Sequence, residues 1–206
     1  MSFYLQSKLK FTPTAILDPG GQNIMMEWEG DIMDEAASII CEKGGDILNI
    51  GYGMGFIDNA IQSNPNSTHW IIEAHPDVQN KMKEEGWLEK PNVKCIFQPW
   101  QEVIDTLPKF DGVYYDTWEE PKPLEFFTKV HNIVKPGGIF SFFNNPALHR
   151  DYYIYDDCFM QPEIEKTLKS EFEISFKAMR IIKEIPLNHY WPSDLKAYFT
   201  PICIKK

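Results

Sequence analysis

Apolar and polar positions along this chain follow two alternating regimes. Ile32, Met33, Ala36, Ala37, Ile39 and Ile40 recur at the spacing of one helix face, which predicts a helix from about Asp31 to Lys43. Gly44-Gly45 stops it. Short apolar runs then take turns with helical stretches. Asp46–Tyr52, His69–Ala74, Val93–Gln98, Phe110–Asp116 and Ile139–Asn144 read as strands. Phe56–Gln62, Pro76–Gly86, Gln101–Leu107 and Leu124–Val134 read as helices, the last closed by Lys135-Pro136-Gly137-Gly138. Apolar strands separated by helices predict an α/β fold, with a parallel sheet covered on both faces and right-handed crossovers. The tail departs from this rhythm. A helix near Gln161–Ser170 precedes two strand-like runs, Phe172–Ile182 and Ala197–Ile204, which predict an antiparallel hairpin at one sheet edge. Residues 1–30 are weakly periodic, with a turn at Asp18-Pro19-Gly20-Gly21, and read as an arm with a short helix. Residues 1–206 are thus expected to form one domain.

Charge narrows the partners. A net charge of −10 repels phosphate backbones and attracts cations, so a nucleic-acid partner is not expected and a cationic substrate is favoured. No stretch is long and apolar enough for a leader or a membrane span, so no membrane partner is expected and the cytoplasm, or the nucleus, is the expected compartment. Cys41, Cys95, Cys158 and Cys203 form no C-x-x-C, and His69, His75, His131, His149 and His189 are scattered. Neither set has metal-ligand spacing, so no metal is expected.

The strongest local signal is Leu48-Asn49-Ile50-Gly51-Tyr52-Gly53-Met54-Gly55-Phe56, a strand ending in three alternating glycines before a helix. Glycine allows a sharp turn and lets backbone N–H groups approach a ligand. Glu73 closes the next strand, on the order of 20 residues on, where an acid can accept both hydroxyls of a ribose. The third glycine comes one residue earlier than in the dinucleotide pattern G-x-G-x-x-G. That suits S-adenosyl-L-methionine, which has no phosphate to cradle, better than a nicotinamide dinucleotide. Trp100, after the third strand of the series, either flanks an adenine ring or anchors the next helix.

Two acids carry the chemistry. Asp116 ends the fourth strand, at the edge of the sheet where active sites gather, and Glu29 precedes the first long helix. A guanidinium is flat, charged and matched bidentately by carboxylates. Two acids on different edges can hold its plane for attack, and one can take the proton that is released. The bland alternatives are a helix cap for Asp116 and a surface acid for Glu29. Asn144-Asn145-Pro146 either binds a substrate's polar tail or simply ends a strand.

At these residues the sequence resembles a known family. Met25-Met26-Glu27-Trp28-Glu29, Ile50-Gly51-Tyr52-Gly53-Met54-Gly55, His69-Trp70-Ile71-Ile72-Glu73-Ala74-His75-Pro76-Asp77-Val78, Trp100-Gln101-Glu102-Val103 and Tyr115-Asp116-Thr117 resemble guanidinoacetate N-methyltransferase and the fungal-type protein arginine delta-N-methyltransferases. The resemblance implies a Rossmann-like class I methyltransferase fold, with a mostly parallel seven-strand sheet and an N-terminal segment closing over the site. It implies that Glu29 and Asp116 hold a guanidino group. It further implies that Met25, Met33, Gly51, Tyr52, Gly53, Met54, Gly55, Phe56, Ile57, Glu73, Ala74, His75, Trp100, Gln101 and Asp116 meet S-adenosyl-L-methionine. Asn144, Asn145 and Pro146 would meet the far end of the substrate. That substrate is either arginine in a protein or a small guanidine. The fungal-type enzymes carry an ankyrin-repeat extension not seen in this sequence, which keeps a free guanidino metabolite open.

Overall fold

The computed structural model describes residues 4–118, 123–145, 160–186, 191 and 195–206. A seven-stranded sheet organises it. Its strands are β4 (Asp46–Ile50), β5 (Thr68–Ile72), β6 (Val93–Ile96), β7 (Phe110–Tyr115), β8 (Val134–Phe142), β9 (Phe172–Arg180) and β10 (Ala197–Lys205), in the order β6-β5-β4-β7-β8-β10-β9. The first five pair in parallel, and β10 runs antiparallel between β8 and β9. The chain turns back on itself between β4 and β7: β5 and β6 build outward on one side and β7 and β8 on the other. That reversal leaves a crevice above the carboxyl ends of β4 and β7, where open α/β sheets bind ligands.

Helices cover both faces. α1 (Gly30–Ile40) and α2 (Phe56–Ser63) press on one, where Met33, Ala36, Ala37, Ile40 and Ile61 pack against Ile47, Tyr114 and Ile139. α4 (Trp100–Val103) and α5 (Pro123–Lys129) cover the other, over Leu48, Val113, Phe140 and Phe142. Tyr115 and Phe126 stack there at 4.1 Å. α3 (Pro76–Glu84) lies between β5 and β6, with Pro76 in its first turn, where a missing N–H is harmless. A final helix, Pro162–Leu168, packs near α5.

Two expectations from the sequence are corrected. The arm is mainly a small antiparallel sheet, β1 (Lys10–Phe11), β2 (Ala15–Leu17) and β3 (Asn23–Met26), flanked by 3-10 turns at Tyr4–Gln6 and Glu27–Glu29. Its strands are too short for periodicity to register. They are held by a turn in which Asp18 accepts from Gly21 N at its carbonyl and from Gln22 N at its side chain. The run Lys135-Pro136-Gly137-Gly138 does not close a helix either. It lies within β8 as a bulge, since Phe110 pairs with Val134 but Gly112 already pairs with Ile139. Lys135 bridges Asp46 and Asp111 across the bulge at 3.2 and 2.7 Å, so tertiary ion pairs hold what local sequence cannot.

Gly112 sets how closely α1 approaches the sheet, because a Cβ there would strike the Ile40 carbonyl. Gly112→Ala is therefore expected to destabilise the fold by about 1–3 kcal/mol through overpacking. Thermal melts should show Tm lowered by roughly 5 °C.

Candidate active site

The site starts at the glycine turn after β4. Gly51 has φ of 97°, in the left-handed region that favours glycine. A Cβ at Gly51 would collide with the Asp116 carbonyl oxygen, so only glycine lets the ends of β4 and β7 close together. At Gly53, a Cβ would lie 2.5 Å from Met25 Sδ. The same sulfur accepts from Met54 N at 3.2 Å, which docks β3 onto the turn. Behind the turn stands a buried polar chain. Asn49 Nδ2 donates to the Gly51 carbonyl at 3.0 Å and to both Asp58 oxygens at 3.0 and 2.9 Å. His69 Nε2 lies 3.0 Å from Asp58, and Gln62 meets His69 Nδ1 at 3.0 Å. Burial pushes the Asp58 carboxyl upward, and His69 and Asn49 pull it back.

Glu73, at the end of β5, is buried and shared between two segments. One oxygen accepts from Tyr52 N at 2.9 Å and the other from His75 N at 2.6 Å. Desolvation raises its pKa against those backbone bonds. Glu73 also lines a cavity. That cavity measures about 360 Å³, within the range of small-molecule sites.

The structure brings most of the residues singled out from the sequence to this cavity. Met25, Met33, Gly51, Tyr52, Gly53 and Ile57 line it. So do Ala74, Trp100, Gln101 and Asp116. Trp100 lines the cavity while its ring packs edge-on against Phe126 at 5.1 Å. Met54, Gly55 and Phe56 shape the turn from outside the lining. His75 also stands off it. Its Nδ1 accepts from Asp77 N, capping α3, and its Nε2 meets the Tyr4 carbonyl at 3.1 Å. Burial lowers its pKa and keeps the ring neutral. Asn144 gives its N–H to Tyr198 and its amide to the Phe199 carbonyl, tying β8 to β10. Asn145 is half-buried, and Pro146 lies outside the described residues.

The two acids differ. Asp116 lines the cavity, and burial raises its carboxyl from the usual value to about 7. Glu29 is buried beside the cavity rather than on its lining, with Oε1 accepting from Met26 N at 2.6 Å. The charges of both act on one group, the Tyr114 hydroxyl, whose pKa rises well above its usual range, mainly by desolvation. The resemblance implied an N-terminal segment over the site but did not name the side chains of the arm that wall the cavity: Tyr4, Leu5, Ile16 and Ile24. Leu9 N and Lys8 hold that arm to Asp77 at 2.9 and 2.7 Å. Nothing local marks these side chains as lining, because the contact spans the arm and α3. Thr117 and Trp118 complete the rim.

A reversed parallel sheet, a glycine turn and an acid at the end of the next strand define a Rossmann-like α/β fold of the methyltransferase class. The fold superposes on spermidine synthase from Thermotoga maritima with a TM-score of 0.65 at 12% identity, over 97% of this chain and 72% of that one. The family model for guanidinoacetate N-methyltransferase matches residues 9–206, and the chain belongs to that family. It is 43% identical over 159 residues to Protein arginine N-methyltransferase 2 of Candida glabrata, covering 71% of this chain and 39% of the relative. Against the protein of that name from Yarrowia lipolytica it is 33% identical over 224 aligned residues, covering 97% and 46%. The chain thus spans less than half the length of either relative.

The raised pKa of Asp116 has a consequence for stability. Between its ordinary value of 3.8 and about 7, the folded protein keeps a proton that the unfolded chain has lost. Stability contributed by this group therefore falls as pH rises through that window and levels off above it. Asp116→Asn removes the penalty. Melts at pH 8 should show the variant more stable than the parent by at most about 4 kcal/mol, and by less where solvent reaches the carboxyl. The gain should shrink at pH 5 and vanish near pH 4.

Proposed function

We infer that the chain is an S-adenosyl-L-methionine-dependent N-methyltransferase whose acceptor is a guanidino group, foremost that of an arginine in a protein. The single observation that carries this reading is Asp116: a half-buried carboxyl just beyond β7, on the cavity that Glu73 and the glycine turn also line.

The residues fit the donor. The close backbone approach at Gly51 and Gly53 suits its amino-acid part, and Glu73 suits a ribose diol. Trp100, Ile72 and Val78 supply an apolar bed for a flat base. When bound, the donor supplies a sulfonium methyl. The chain's own residues do the rest. Asp116 pairs with a guanidinium on the cavity wall, and Glu29, buried beside that wall, pairs with its charge from behind. The attacking nitrogen keeps one N–H on Asp116, which raises its electron density, and is held in line with the methyl. Attack on the methyl leaves a neutral thioether and releases one proton from the attacking nitrogen. Asp116, with a pKa near 7, is matched to accept that proton at neutral pH. Burial strengthens both pairings by excluding water.

The family model itself favours a second acceptor, a small guanidine such as guanidinoacetate, over the same residues. One assay decides between them. Labelled methyl is offered with an arginine-containing protein, free arginine and guanidinoacetate, and mass analysis places the label. Label on protein arginine is the expected result, label on guanidinoacetate alone favours the second reading, and label on none of them defeats both. Asp116→Asn is expected to lower kcat/KM by roughly 100-fold or more, the range of a lost general base. In the parent enzyme, kcat/KM should rise with pH through about 7 as the Asp116 carboxyl ionises, and a profile flat from pH 5 to 9 would contradict that role.

A further inference from the structure

Tyr114 stands two residues before Asp116 on β7, with its side chain on the face that α1 covers. It is completely buried, and its hydroxyl has no hydrogen-bond partner among the described residues. Leaving a buried hydroxyl unpaired is destabilising, and a phenylalanine in the same place would avoid that cost. Packing alone therefore does not account for a tyrosine here.

Its surroundings do. Met25 and Met33, both on the cavity wall, pack in the same cluster as Tyr114. Glu29 precedes Met33 by one helical turn, which puts it on the same side of α1. The charged and titratable groups acting on the hydroxyl are Tyr198, Asp116 and Glu29. Tyr198 is engaged elsewhere, since its oxygen accepts from Asn144 N at 2.9 Å and lies 3.5 Å from the Phe142 carbonyl. Glu29 already accepts from Met26 N. The Asp116 carboxyl is shifted by burial, with no hydrogen-bond donor lowering it among the described residues. The strand's alternation puts Tyr114 and Asp116, two residues apart and with Asp116 N still on the β4 ladder at the Ile50 carbonyl, on the same side of the sheet.

The geometry points to Tyr114 as a positioning residue for the guanidino site: when a guanidinium pairs with Asp116, the Tyr114 hydroxyl donates to the carboxylate from the side of the sheet and fixes its plane. This inference rests on the guanidino reading above. A carboxylate has about four acceptor positions. A bidentate guanidinium takes one on each oxygen, and the hydroxyl takes another. A neutral donor serves here where a third ion would not, because it orients the acid without competing for the cation. The hydroxyl acts on the substrate only through Asp116.

The test is Tyr114→Phe, which removes one oxygen atom. Three measurements are made on the parent and the variant: Tm, affinity for S-adenosylhomocysteine, and the pH profile of kcat with whichever guanidine the parent methylates. Tm is expected to hold or rise, and the cofactor-product affinity to stay unchanged. kcat should fall roughly tenfold, as for loss of a hydrogen bond to a charged group. The acid limb of the kcat profile should move to higher pH, since the carboxylate has lost a donor that favours its ionised form. An unchanged kcat with an unmoved limb overturns the inference, and so does a lowered Tm with an unmoved limb. Should the variant fail to fold, 3-fluorotyrosine at position 114 gives the opposite sign: a stronger donor, and an acid limb moved to lower pH. An unmoved limb there also overturns it. A parent enzyme that methylates no guanidine sinks both this inference and the reading beneath it, whereas an active parent with an indifferent variant sinks this inference alone.

Discussion

The closure of two strand ends over one bare α-carbon governs this structure. Gly51 sits against the Asp116 carbonyl, with no room for a side chain. Asp116 N in turn donates to the Ile50 carbonyl at 3.0 Å, and Gly51 N to the Ile72 carbonyl at 2.9 Å. These contacts fasten the ends of β4, β5 and β7 to one another. The glycine turn, Glu73 and Asp116 consequently share one rim of the sheet. The buried chain through Asn49, Asp58 and His69 holds the same turn from behind. Backbone rather than loop side chains thus sets the floor of the cavity.

Around that floor the chain spends polar groups in two ways. Glu73 and His75 are satisfied structurally, one pinning the turn and the other capping α3 and holding the arm. Among the described residues, Asp116 and Tyr114 are left with unmet demand, a carboxyl raised by burial and a hydroxyl without a partner. Each such group carries a desolvation cost. Under the proposed function, a guanidinium in the cavity that Asp116 lines offsets part of it.

Much of the site was legible because it is local. The glycine spacing, the acid after the second strand of the series and the acid after the fourth can each be read within a few residues. Family resemblance extended that reading to Met25 and Met33. The arm was misjudged because two- and four-residue strands leave no periodic trace. The β8 bulge was misjudged because Pro136 and two glycines normally end an element, whereas here the Lys135 ion pairs carry the strand through.

Sequence alone determined which residues could form strands and helices, where the chain must turn, and which acids stand at strand ends, since those properties depend on neighbours along the chain. Tertiary structure alone decided which side chains of the arm wall the cavity, that Glu29 is buried beside its lining, that His75 stands off that lining, and that Tyr114 lies buried under the influence of both acids. Desolvation and distance between residues far apart in sequence produce those outcomes, and neither quantity exists until the sheet has closed.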